Sequence, residues 1–281
     1  MRLVENIYIY KLRIRSMKYY QIAIIIVAIV IIIVGIIIFQ HNFTSQQIIS
    51  KVVFPTQQQI SSTLGPDWNV TGLFEENYTN AVYQQYPGAI TLYQEYVQKD
   101  NQTVTITVLL LNSSSSQLKG IKVGKYLVMA NVTGNSSPIN LNSVENLEVE
   151  TLKSGMGLTP TLNPLLISAN KNITILEFGN ATTRNYTIYF ETIMYNNSYI
   201  SIDLAKSSNI TSLFNTLLSS AGRNVSVSTI DSAKYFNLSF VSVYGSVYYT
   251  VGIKGNYLVF IQAQSPQSFN FFIQMINKVS Q

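Results

Sequence analysis

Residues 22–39, IAIIIVAIVIIIVGIIIF, form an unbroken run of eighteen side chains with no charge and no strong polarity. Wound as an α-helix the run is about 27 Å long, close to the thickness of a bilayer's hydrocarbon core. Ile and Val are poor helix formers in water. In lipid, however, every backbone N–H and C=O must be paired within the segment, and a helix does this alone. Tyr19 and Tyr20 stand where the aromatic belt of a membrane interface belongs. A cleaved signal peptide has a shorter apolar core and small residues before its cut, whereas this run leads into Gln40-His41-Asn42-Phe43. A pilin-type leader is cut before the run, usually beside a glycine, and residues 16–21 contain none. A buried core helix seldom holds so long an apolar stretch. The expectation is an uncleaved, single-pass signal anchor.

Charge sets the expected orientation. Residues 1–21 carry five Lys/Arg against Glu5 alone, while residues 41–281 carry thirteen Lys/Arg against twelve Asp/Glu. The basic flank belongs in the cytoplasm and the rest outside, placing the chain in the cell membrane with an extracellular C-terminal domain. The overall charge of +5 is mostly this flank and not a nucleic-acid footprint. With no cysteine, an exported domain must hold together by packing and hydrogen bonding. Few carboxylates are available to protonate, so acidification should cost little stability.

Asn-x-Ser/Thr triplets begin at Asn42, Asn69, Asn77, Asn101, Asn112, Asn131, Asn135, Asn172, Asn180, Asn185, Asn196, Asn209, Asn224 and Asn237. Composition alone would give roughly five such matches, so this density points to an N-glycosylated domain carrying N-linked glycans. An Ile/Tyr/Asn-rich, cysteine-free, sequon-dense domain behind one apolar helix resembles the membrane-anchored surface proteins of thermoacidophilic archaea. The resemblance is one of composition across the whole chain. It implies an envelope setting with membrane lipid, the S-layer or another envelope protein as partners, and it supplies no catalytic residue.

The expected organisation is a cytoplasmic flank (1–21), the transmembrane anchor (22–39), a helical stalk (40–64) and two ectodomain units (65–156 and 157–281). Residues 57–64 read as a short helix closed by Gly65-Pro66. Residues 91–97 and 103–111 read as a hairpin, because Val104, Ile106, Val108 and Leu110 alternate onto one face. A strand follows at 126–132 and a helix at 141–153. The second half has a hairpin at 187–194 and 198–205, then a helix capped by Ser208 and stopped by Gly222. A meander at 235–243, 247–253 and 257–263 precedes a last helix opened by Ser265 and Pro266, with Phe269, Phe272, Ile273, Ile276 and Val279 on its buried side. Gly124–Met129 (GKYLVM) matches Gly255–Phe260 (GNYLVF). The fold class expected is α+β: a transmembrane helix, then an antiparallel-sheet ectodomain with packed helices, as two diverged copies of one hairpin-helix-meander-helix unit.

Chemistry-bearing groups are few. With no cysteine and only His41, neither a zinc, copper or haem ligand set nor a histidine-based nucleophile can be assembled from the rest of the chain. No calcium-loop pattern occurs, so neither a metal nor a cofactor is expected. Residues 120–126, GIKVGKY, fail as a phosphate loop in glycine spacing and in the missing hydroxyl. Carboxylates that could form a catalytic pair are Asp67, Glu75, Glu76, Glu95, Glu177, Glu191, Asp203 and Asp231. Each is ordinarily a solvated surface charge, but Glu191 and Asp203 lie within apolar strands. The expected function is therefore non-catalytic: a membrane-anchored extracellular glycoprotein that binds or braces something in the envelope. The alternatives are a tethered acid hydrolase using a carboxylate pair, or a solute receptor with a pocket lined by tyrosines and Trp68.

Overall fold

The structure is a computed structural model that describes residues 52–77, 80–112, 118–134, 138–183, 185–222, 225–242 and 245–279. The described chain runs α1 (Gln57–Leu64), β1 (Asn69–Asn77), α2 (Asn80–Gln85), β2 (Ala89–Lys99), β3 (Gln102–Leu111), β4 (Ile121–Val123), β5 (Tyr126–Thr133), α3 (Leu141–Ser154), β6 (Ile173–Thr182), β7 (Thr187–Tyr195), β8 (Ser198–Lys206), α4 (Ile210–Ala221), β9 (Ser228–Ile230), β10 (Ala233–Ser242), β11 (Gly245–Lys254), β12 (Tyr257–Ala263) and α5 (Ser268–Lys278). All twelve strands join one antiparallel sheet in the order β4-β5-β3-β2-β1-β6-β7-β8-β12-β11-β10-β9.

Antiparallel partners share a face, and successive residues alternate faces, so the registers sort every strand residue to one side or the other. The first face carries Val97, Val104, Ile106, Val108 and Val128 under α1 and α3, and Ile193, Ile200, Ile202, Val259 and Ile261 under α5. On the second face, Val82 of α2 packs on Leu92, Leu109 and Leu127. Phe214 of α4 packs there on Ala205, Phe236, Val251 and Leu258. Thr56 caps α1 with a reciprocal Thr56–Gln59 capping box, and Gly155 ends α3 in a left-handed conformation. Gly252 has no side chain because the ring of Phe272 rests where a Cβ would stand.

The two halves of the sheet are related by a pseudo-two-fold axis through the β1–β6 seam. Working outward, β1-β2-β3-β5-β4 matches β6-β7-β8-β12-β11. The repeated string falls at corresponding turns, Gly124 between β4 and β5 and Gly255 between β11 and β12, both with positive φ. Phe74 pairs with Gln94 in β2, and Gly179 pairs with Phe190 in β7. These are equivalent positions counted from the two hairpin turns, and Phe74 and Gly179 pair with each other across the seam. The axis therefore passes through that pair. Gly179 is needed there: the rings of Phe74 and Phe190 meet over it, centroids 5.9 Å apart, and a Cβ would lie 2.7 Å from Phe190 Cζ.

The expected α+β ectodomain of two units is corrected by this topology. The described fold is one mainly β sheet. An opening strand left unpaired in each half would expose a row of main-chain donors and acceptors, and pairing β1 with β6 removes both edges at once. The unit itself also differs: α2 lies between β1 and β2 in the first half, whereas α4 follows β8 in the second. The membrane expectation is corrected as well. No helix among the described residues is long and apolar enough to cross a membrane, so the transmembrane, single-pass and signal-anchor readings and the cell-membrane location find no support in the fold. Residues 1–21, 22–39 and 40–51, on which the flank, anchor and upper stalk were placed, lie outside the described residues. Two caps move too. The N-cap of α4 is Asn209, not Ser208, and α5 begins at Ser268 after Gln267.

Candidate functional site

Between α2, which packs on β2, and α4, which packs on β11 and β12, the second face of the sheet carries a band with a different composition. One cross-strand row there reads Glu76 (β1), Glu177 (β6), Thr192 (β7), Ser201 (β8) and Gln262 (β12), ending against Tyr249 (β11). The next row reads Phe74, Gly179, Phe190, Asp203 and Phe260. Adjacent strands are about 4.8 Å apart, so the polar row from Glu76 to Gln262 is roughly 19 Å long.

Hydrogen bonding in the row is incomplete. The Thr192 hydroxyl donates to Glu177 Oε2 at 3.1 Å. Gln262 is 8% exposed, yet its Oε1 has no partner. A buried acceptor left unmade costs about 1–3 kcal/mol, which marks this atom as unfinished. Glu177, Thr192, Ser201 and Asp203 each keep part of their surface in solvent.

Electrostatics in the band run one way. Loss of water pushes Glu177 up to about 8, reinforced by the charges of Glu76 and Asp203 and opposed by the Thr192 hydrogen bond. Desolvation raises Asp203 to about 7. Both carboxyls are half-buried on this face. Tyr96, on the same face of β2, rises to about 12 through burial and then through Glu177, Tyr86 and Glu76, and its hydroxyl donates to Gln94 Oε1 at 2.7 Å. Beside the band runs an aromatic track: Tyr249 lies 5.7 Å from Phe240 and 5.7 Å from Phe260, and Phe240 is 54% exposed.

The remaining carboxylates fall elsewhere. Asp67 forms an exposed ion pair with Lys99 at 3.0 Å. Asp231 occupies the β9–β10 turn with φ 46°. Glu75 lies buried on the first face. Glu95 and Glu191 occupy equivalent positions on that face, five residues before Asp100 and Asn196 of their hairpin turns and opposite Ile106 and Ile202 respectively. Glu191 Oε1 accepts from the Ile167 N–H at 2.7 Å; burial raises the group to about 8 against that bond and the nearby Lys278. Glu95 has no such relief. It is fully buried beside Glu148 of α3, both oxygens of each carboxyl lack a partner, and burial lifts them to about 9 and about 10.

Trp68 lies in the core of the first face with Tyr93 and Val97, away from the band. Among the expected sugar acceptors, Asn69, Asn101, Asn112, Asn131, Asn172, Asn185, Asn196, Asn209 and Asn237 are exposed and Asn180 is half-buried. Asn77 is buried, its amide donating to Ile175 O at 3.4 Å. Asn42, Asn135, Asn224 and His41 lie outside the described residues. Thr192, Ser201 and Gln262 are the band residues that sequence reasoning misses. Only Ser201 has a periodic signal, standing between Tyr199 and Asp203 on one face of SYISIDLAK, whereas Thr192 and Gln262 are each the single polar side chain on that face of their strands.

No protein-family model matches the chain, and no curated protein matches it in sequence. Among solved structures, the N-terminal dehydratase from the difficidin assembly line aligns over 79% of this chain and 86% of that one, at 7% identity and a TM-score of 0.15. A likeness of that size carries no argument.

Proposed function

We propose that this chain is a non-catalytic glycoprotein that binds a ligand on the open band of its sheet. The observation that carries the reading is the row from Glu76 to Gln262, partly open to solvent between two helix-covered patches and holding an unsatisfied buried acceptor. Carboxylate pairs that cleave glycosidic bonds flank the bond from opposite sides. Glu76 and Glu177 instead stand side by side on one sheet face, with Asp203 in the next row two strands away, an arrangement suited to holding a ligand. Nine exposed sequon asparagines spread over the described surface are the basis for the glycoprotein half of the reading.

The test is a panel of polysaccharide and peptide substrates incubated with purified full-length protein, run beside glycopeptide mapping of protein from its native source. The reading expects no turnover and sugars on exposed asparagines. Hydrolysis that disappears in Glu177→Gln or Asp203→Asn, or bare asparagines throughout, would overturn it.

A further inference from the structure

The band's chemistry narrows the ligand, on the footing that it is a binding surface. The carboxyls of Glu76, Glu177 and Asp203 crowd the band with negative charge, and the one buried side-chain atom in these two rows without a partner, Gln262 Oε1, is likewise an acceptor. Glu177 and Gln262 mark a row three strand spacings long, roughly 14 Å, with Asp203 beside its middle. The rings of Phe190, Phe260 and Tyr249 stand on the same sheet face beside these carboxyls, and aromatic rings attract organic cations. No Lys or Arg stands in either row, so nothing there complements an anion.

From this juxtaposition we infer that the band is a site for a linear polyamine, whose ammonium groups pair with Glu76/Glu177 and Asp203 and whose far N–H reaches Gln262 Oε1. Such a cation offsets both causes of carboxyl strain at once, the lost water and the mutual repulsion. It also completes the orphaned amide oxygen. A neutral sugar would relieve neither repulsion nor desolvation. A single-centre cation without N–H donors could not satisfy both ends of the row.

Binding also moves protons. The titratable groups on this face around the ligand are Glu76 from β1, Glu177 from β6, Asp203 and Tyr199 from β8, Tyr96 from β2, Tyr86 following α2, and Tyr249 from β11. Near pH 6 the carboxyls raised in the free protein must ionise to pair with ammonium groups, so protons leave as the ligand enters.

Isothermal titration of the full-length protein with spermidine, repeated in buffers of different ionisation enthalpy, tests this. The expected result is saturable binding with buffer-dependent heat at pH 6, weakened at least tenfold in Glu177→Gln and in Asp203→Asn. Gln262→Leu should weaken it several-fold. Tetramethylammonium and maltotetraose should bind far more weakly than spermidine. Circular dichroism and a thermal melt establish that each variant is folded. The inference is overturned by the absence of spermidine binding to folded wild-type protein, by unchanged affinity in the folded variants, or by tighter binding of maltotetraose. A hydrolysed substrate would instead refute the non-catalytic reading while leaving these binding outcomes to stand or fall alone.

Discussion

Replacing Glu148 with glutamine should stabilise this protein at neutral pH and do almost nothing in acid. Glu148 and Glu95 are buried by the core that holds Trp68, Tyr93, Val97, Ile106 and Val144, close enough to interact electrostatically, with no exposed surface and no hydrogen-bond partner for any carboxyl oxygen. Burial, with Glu95 adding to it, lifts Glu148 from 4.5 to about 10. The folded state therefore keeps this proton where the unfolded chain has lost it. Stability is greatest below the unfolded value near 4.5, falls as pH rises through the interval up to about 10, and is level above it. Each pH unit inside that interval costs about 1.4 kcal/mol per group, so at pH 7 the loss through Glu148 is about 3 kcal/mol. Glutamine has a similar shape and no proton to lose. For a domain of this size 1 kcal/mol corresponds to roughly 2–4 °C, so Glu148→Gln should raise the melting temperature by about 6–12 °C at pH 7. At pH 4 its effect should nearly vanish. Melts of wild type and variant from pH 4 to pH 8 measure the difference directly. An equal shift at pH 4 and pH 7, or a destabilisation at pH 7, would refute the assignment of a protonated carboxyl to this core.

Other outcomes follow from the same geometry. Gly179→Ala forces a methyl against the Leu73 carbonyl and the Phe190 ring at the seam, and should cost about 1–3 kcal/mol by chemical denaturation. Phe272→Ala removes a fully buried ring from beneath Gly252 and Val259 and should cost about 3–5 kcal/mol in the same assay. In glycopeptide maps Asn77 should remain bare while exposed sites such as Asn101 and Asn172 carry sugar, because a glycan on Asn77 would displace its buried amide from Ile175 O. Wild-type protein should be more stable at pH 4.5 than at pH 8, since Glu95, Glu148, Glu177, Glu191 and Asp203 are all raised by burial; urea midpoints at the two values decide this.

Local structure was readable where the alternation is regular. The hairpins around Asp100 and Asn196, the meander through Gly255 and the helix over 141–154 all follow from period and turn chemistry. β6 was not readable, because ITILEFGNAT carries a bulge between Ile175 and Glu177 that breaks its period. The β1–β6 pairing was hidden for a different reason: antiparallel partners from separate hairpins leave no local mark, and the choice is settled by sheet edges that exist only in three dimensions. The band inherits that difficulty. Glu76 and Glu177 become neighbours only through the seam, and each alone in sequence is an ordinary surface acid. Glu191 and Asp203 did stand out inside apolar strands, yet the alternation of faces sends one to the core and the other to the band.

Whether the two halves form one physical sheet is best decided by native-state hydrogen exchange. The account predicts that amides on either side of the seam, in β1 and β6, exchange only through the same cooperative opening that releases β3 and β8. An opening that frees β1 through β5 while β6 through β12 stay protected would show two independent units and remove the surface on which the band is built.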